Sequence, residues 1–184
     1  ETLVCTLRGN LQTQETGYSN LVAVGDRVII SQNGDEKGVV EKVLPRRSIL
    51  ARAHGTVLSL QQIVVANVDQ VLIVASWREP YIWPKLIDRY LIAAQRNNLK
   101  AIICINKIDL IENQKEFTEI VQPYTKLGYR AILASTITGE GVDELRSLLT
   151  ESTTVLAGLS GVGKSSLLTA VQPNLDLRTG NVAE

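Results

Sequence analysis

The chain has 184 residues, 45% of them apolar and 21% charged, with 19 basic side chains balanced by 19 acidic ones. This is ordinary globular composition for one large domain or two small ones at roughly 150 residues per domain, and it excludes disorder, collagen and coiled coil. Two cysteines, Cys5 and Cys104, with the solitary His54 between them, exclude a disulfide framework or a structural zinc site built from this chain and predict a reducing, cytoplasmic setting.

The longest apolar runs, around residues 71–75 and 101–105, fall far short of the roughly 20 residues that span a bilayer, and the N-terminus lacks a signal-peptide pattern. A soluble protein with no membrane partner is expected. The chain has no initiator Met, and residues 181–184 end without a structural terminator, so it is read as part of a longer gene product.

Residues 2–60 read as short alternating stretches (3–8, 26–31, 39–44) separated by turn signals at Gly9-Asn10, Asn33-Gly34-Asp35 and Pro45. This predicts a small antiparallel all-β module, with Val28 and Ile30 on one strand face and Asn33-Gly34 turning a hairpin. The period then changes. β-rich runs at 70–75, 101–105, 130–134 and 154–157 alternate with helical stretches from Pro84 to near Asn98, 114–126, 142–149 and from Lys164. Such alternation predicts an α/β domain with a mainly parallel sheet and helices on both faces. Pro84 suits a first helical turn and Gly128 a helix terminator. The modules are divided as residues 1–64 and 65–184.

The strongest signal is Gly158-Leu159-Ser160-Gly161-Val162-Gly163-Lys164-Ser165, which fits G-x-x-x-x-G-K-[ST] between an apolar strand and a helix. Glycines at 158, 161 and 163 let the backbone curl so that successive N–H groups, through Ser166 in the first turn, face phosphate oxygens at a positive helix end. Lys164 is expected to reach the β- and γ-phosphates, and Ser165 to offer its hydroxyl to Mg2+.

That loop leaves the base unnamed. Asn106-Lys107-Ile108-Asp109 follows the run 101–105, at the carboxyl edge where open α/β sheets place ligands. Guanine offers two adjacent donors, which the Asp109 carboxylate can accept together, whereas adenine lacks the pair. A carboxylate left facing the wrong base rejects it. Asn106 is expected to tie the loop to its neighbours and reach the base edge, with the aliphatic stem of Lys107 covering one ring face. Ser135-Thr136, after the run 130–134 and before Gly139-Glu140-Gly141, would present backbone N–H groups to the guanine oxygen; a plain strand-to-helix turn is the competing reading. GTP or GDP with Mg2+ is the ligand set predicted.

The base-reading segments here precede the phosphate loop, the reverse of the usual GTPase order. A circular permutation explains this, because chain ends in compact domains lie close together and a cut loop leaves strand-end sites intact.

The β-module followed by a permuted GTPase resembles the ribosome small subunit-dependent GTPases of the RsgA/YjeQ (EngC) family. The resemblance rests on Gly25-Asp26-Arg27-Val28, Leu44-Pro45-Arg46, Asn67-Val68-Asp69-Gln70, Ile87-Asp88-Arg89-Tyr90-Leu91, Asn106-Lys107-Ile108-Asp109-Leu110 and Gly161-Val162-Gly163-Lys164-Ser165-Ser166-Leu167. It implies an OB-type N-terminal barrel and GTP hydrolysis stimulated by the small ribosomal subunit in its late maturation, with the subunit and its rRNA as partners of a monomer. It also implies a Cys/His zinc domain and switch segments beyond Glu184. Thr136 stands where such proteins often have Ala, and Thr179-Gly180 is given no metal-binding role.

Two other classes compete: a nucleotide-dependent RNA-binding scaffold with incidental hydrolysis, and an adenine-specific P-loop enzyme. Residues 1–60 carry seven basic side chains against six acidic ones, and among the basic ones only Arg46, Arg47 and Arg52 cluster, as a solvated face or an RNA contact. His54 reads as structural or incidental. Trp77 and Trp83 read either as packing or as a partner contact, Asp69 and Asp88 as structural, and both cysteines as buried apolar residues. No water-positioning residue is recognised, so slow intrinsic turnover is expected.

Overall fold

The computed structural model describes residues 2–9, 11, 17–32, 34, 36–53, 61–150 and 152–174. Asn10, Asn33, Asp35, His54, Gly55 and Thr179-Gly180 lie outside these residues. The chain divides into two compact units, Glu1–Asp69 with Ala93–Leu99, and Gln70–Ile92 with Lys100–Glu184.

In the first unit, β1 (Val4–Leu7), β2 (Val28–Gln32) and β3 (Lys37–Val43) form a sheet ordered β1-β3-β2, and β4 (Ile49–Ala53) pairs antiparallel with β5 (Gln61–Ala66). The β2–β3 pair is antiparallel, but β1 runs parallel to β3. The expectation of a wholly antiparallel module is corrected there. Alternation and turn residues encode the tight β2–β3 connection, whereas the long chain between β1 and β2 is free to bring β1 beside β3 in either direction. A register shift between Ile29 and Ile30 also breaks the expected alternation. Val28 packs against a small core of Leu11, Val40 and Val43, while Ile30 past the shift is 38% exposed.

The arginines in this unit are largely spent on the unit itself. The Arg46 guanidinium grips Asp26 at two points, Nε to Oδ1 and Nη2 to Oδ2, each 2.7 Å, and both side chains are only 1% exposed. Burial pushes the Asp26 carboxyl up, but the bonds from Arg46 and the Ala23 amide outweigh it and hold the group below its ordinary value. Arg47 pairs with Asp69 and donates to the Asn67 carbonyl, and Arg52 donates to Gln62 Oε1. A single solvated arginine face is therefore not what residues 46–52 form.

The second unit is a parallel sheet ordered β8-β7-β6-β9, from β6 (Gln70–Ser76), β7 (Lys100–Asn106), β8 (Arg130–Leu133) and β9 (Thr154–Ala157). Among the described residues four α-helices accompany it: α1 (Pro84–Arg96), whose end from Ala93 is grouped with the first unit, α2 (Gln114–Lys126), α3 (Val142–Leu149) and α4 (Lys164–Val171). Every residue of β6 is buried, as a central parallel strand covered on both faces requires. On one face Leu72, Val74, Ile102, Cys104, Ile132 and Ala134 pack against Leu145 of α3 and Leu167 of α4. On the other, Ile73 and Ala75 line a cleft with Leu86, Ile87 and Tyr90 of α1. The α1 and α2 helices are joined by Tyr124, whose hydroxyl donates to Asp88 and to the Pro84 carbonyl.

Pro84 opens α1, and Gly128 at φ 87° follows α2, both where the chain pattern put them. Asn113 caps α2 by accepting from the Lys115 and Glu116 amides. No helix among the described residues is long and apolar enough to cross a membrane. The strand register aligns Ser76 with Asn106, Ile105 with Leu133 and Ile73 with Ala157, so loops 77–83, 107–109, 134–141 and 158–163 emerge at one sheet edge.

Candidate functional site

The loop between β9 and α4 is shaped by glycine where side chains cannot fit. Gly158 has φ 151°, and a Cβ there would lie 2.2 Å from the Val74 carbonyl oxygen. Gly163 has φ 92°, and a Cβ there would lie 2.2 Å from Asn106 Nδ2. The second approach is the important one. Asn106 ends β7, is only 1% exposed, and donates from Nδ2 to the Val162 carbonyl at 2.9 Å, joining the tetrapeptide 106–109 to the glycine-rich loop. Its Oδ1, like Trp77 Nε1, is buried without a hydrogen-bond partner among the described residues.

Within the loop, Leu159 and Val162 turn their side chains toward the core, while Ser160 and Gly161 are exposed. Lys164 opens α4 and curls back, its ammonium donating to the Gly158 carbonyl at 3.0 Å and the Leu159 carbonyl at 2.6 Å. Burial lowers its pKa. Ser165 and Ser166 lie exposed in the same first turn, at the positive end of the helix.

Asp109 is exposed, and its Oδ1 accepts from the Ser135 hydroxyl at 2.5 Å. Ser135 is fully buried, and its oxygen in turn accepts from the Ile137 and Thr138 amides at 3.2 Å each. From sequence, Ser135 and the half-buried Thr136 are expected to act through their backbone only. The Ser135 amide instead donates to the Glu140 carbonyl at 3.0 Å, and it is the side chain that aims the carboxylate; the sole signal for that is a hydroxyl at the end of a strand run. Lys107 takes the left-handed conformation (φ 60°, ψ 41°), and its ammonium donates to the Glu79 carbonyl.

That contact brings in a segment the motifs did not reveal. In loop 77–83 the Trp77 amide donates to the Asn106 carbonyl at 2.9 Å, and the Ser76 hydroxyl donates to the Pro80 carbonyl at 2.6 Å. Pro80 Cδ lies 3.6 Å from where a Cβ on Gly161 would stand. Trp77 is fully buried edge-on against Phe117, hence a packing residue, whereas Trp83 is 45% exposed. Asp88 accepts from Tyr124, Asp69 pairs with Arg47, and burial pushes the Cys104 thiol up to about 12, leaving it inert.

Residues 43–184 match the family model described as RsgA GTPase. The chain belongs to the RsgA GTPase family. It is 42% identical over 179 residues to the small ribosomal subunit biogenesis GTPase RsgA of Moorella thermoacetica, covering 97% of this chain and 56% of that protein. It is 36% identical to the protein of the same name from Caldanaerobacter subterraneus subsp. tengcongensis, covering 98% and 59%. Among solved structures, YjeQ from Thermotoga maritima superposes with a TM-score of 0.70 at 37% identity over 97% of this chain and 59% of that one. YloQ, described as a circularly permuted GTPase, gives 0.59 at 31% identity over 93% and 56%. The chain thus spans somewhat more than half the length of the RsgA GTPase relatives it matches.

Proposed function

We propose that this chain is the nucleotide-handling part of a GTP-hydrolysing factor that acts in late maturation of the small ribosomal subunit. The observation that supports it best is the bond from Asn106 Nδ2 to the Val162 carbonyl, which sets the carboxylate-bearing loop at a fixed reach from the glycine-rich loop. The roles follow from chemistry. Backbone amides of Gly158, Leu159, Ser160, Gly161, Val162 and Gly163, with those of Lys164, Ser165 and Ser166, face the phosphates. Asp109 accepts from both guanine donors, the stem of Lys107 covers the ring, Asn106 ties the two loops together, and Thr136 presents its amide to the guanine oxygen, the Ser135 amide being donated to the Glu140 carbonyl.

Mg2+ asks the protein for few oxygen ligands because the phosphates and water supply most of its shell. The exposed Ser165, one residue past Lys164, fits that demand, and no group of three His, Cys, Asp or Glu able to hold a metal occurs among the described residues. When bound, such an ion would supply neutralisation of charge on the phosphoryl group. Lys164 shares that task as the catalytic residue, its ammonium already oriented by two carbonyls.

Residues 1–64 are proposed as an OB-like barrel, and residues 65–184 as the circularly permuted GTPase domain. Small-subunit rRNA is the proposed partner of a cytoplasmic monomer. Zinc, assigned by the resemblance to residues beyond Glu184, enters none of these steps. Adding purified small subunits to the chain should raise GTP turnover by orders of magnitude. Flat turnover with intact subunit binding would favour the nucleotide-dependent RNA-binding scaffold instead.

A further inference from the structure

Among the described residues, only four that are not glycine have positive φ: Asn67, Glu79, Asn98 and Lys107. Asparagine visits this region readily, while glutamate and lysine seldom do. Glu79 (φ 53°) and Lys107 (φ 60°) are partners in one hydrogen bond, from the Lys107 ammonium to the Glu79 carbonyl. Two unfavourable backbone conformations meeting at one contact indicate that the surroundings over-determine it.

What holds the Glu79 end is a latch one residue away. The Arg78 guanidinium carbon sits 4.4 Å from the centre of the Trp77 ring and 4.5 Å from that of Tyr81, facing both of these mutually contacting aromatic residues. Its Nη2 reaches Glu116 Oε2 at 3.3 Å, and the Tyr81 hydroxyl donates to Glu116 Oε1 at 2.7 Å. Glu116 lies in the first turn of α2, next to Phe117, which packs on Trp77. Both ends of loop 77–81 are thereby fastened to α2. Pro80 has its own tie, the bond from Ser76, so the side of the loop facing Gly161 does not depend on the latch.

We propose that Arg78, Glu116 and Tyr81 are positioning residues for guanosine recognition: through the Glu79 carbonyl they fix the ammonium of Lys107, and so the stem that covers the base. This rests on the guanine-nucleotide reading above. The latch bears on the nucleoside half of the ligand and not on the phosphate half, which the glycine-rich loop holds. A merely structural role would weaken both halves alike.

The test compares GDP with inorganic pyrophosphate as competitors of a fluorescent GDP on the 184-residue chain. Arg78→Ala should weaken GDP about three- to fivefold, the range expected for a partly exposed ion pair, and lower the ratio of GDP to pyrophosphate affinity by the same factor. Glu116→Gln, which keeps an acceptor for Tyr81 and removes the charge, is the gentler variant if Arg78→Ala folds poorly, and should act in the same direction. In a Lys107→Ala background the Glu116→Gln loss should vanish, because the group it positions is gone. An unchanged ratio, an equal loss for both ligands, or full additivity with Lys107→Ala would each overturn the latch. Absence of any GDP preference over ADP in the unsubstituted chain would instead overturn the guanine reading, and the latch with it.

Discussion

Each unit contains a buried polar tie between segments distant in sequence, and the two ties are finished differently. In the first unit Arg46 and Asp26 meet at two points, with further bonds from the Ala23 amide and to the Leu21 carbonyl, so the pair closes on itself. In the second unit Asn106 joins Val162 with one bond and keeps a buried oxygen without a partner among the described residues, while Asp109 nearby stays exposed. A closed network stabilises a fold and has nothing left for a ligand. An open one, set among loops at the carboxyl edge of a parallel sheet, costs stability and retains chemistry. Of the arginine cluster that reads as an RNA face, Arg46 is of the first kind while Arg47 and Arg52 stay exposed, and the tetrapeptide 106–109 is of the second.

The comparison breaks if the closed tie affects binding or the open one mainly affects folding. Arg46→Ala leaves a buried carboxylate and should cost about 3–5 kcal/mol of stability in a denaturant titration, with GDP affinity unchanged in the fraction that remains folded. Gly163→Ala places a methyl group on Asn106 Nδ2 at a left-handed position. It should weaken GDP by roughly thirtyfold or more, the equivalent of about 2 kcal/mol, in a fluorescence titration. Ser135→Ala removes the hydroxyl that aims Asp109 and should cost about tenfold in GDP affinity, with ADP binding unchanged. The smallest effect is a pH dependence. The folded pKa of Asp26 lies below its unfolded value, so its contribution is complete above about pH 4 and is lost as the pH falls through the folded pKa. The gap in melting temperature between the unsubstituted chain and Asp26→Asn should therefore close in acid, and a gap constant to pH 2 would contradict the assignment.

Much of the second unit was legible because its signals are local. Near-continuous Val/Ile runs mark strands buried on both faces, Pro84 and Gly128 mark helix ends, and the glycines of 158–163 can hardly be replaced where Val74 and Asn106 approach. The first unit was legible in outline only. The direction of β1 depends on a long connection, and the shift at Ile29/Ile30 breaks the alternation on which its face was read. At the site, the contributions of the Ser135 side chain and of loop 77–81 went unread, because both arise from contacts between segments that sequence spacing does not join. Trp77, undecided from sequence, is settled by its full burial against Phe117.

The central claim is that Asp109 reads the purine while the glycine-rich loop holds its phosphates. Exchanging Asp109→Asn and measuring GDP against XDP tests it most directly, since the xanthine C2 oxygen suits an amide donor where guanine offers an amino group. The preference should swing from GDP toward XDP with pyrophosphate affinity unchanged. Undiminished selectivity for GDP in that variant would contradict it.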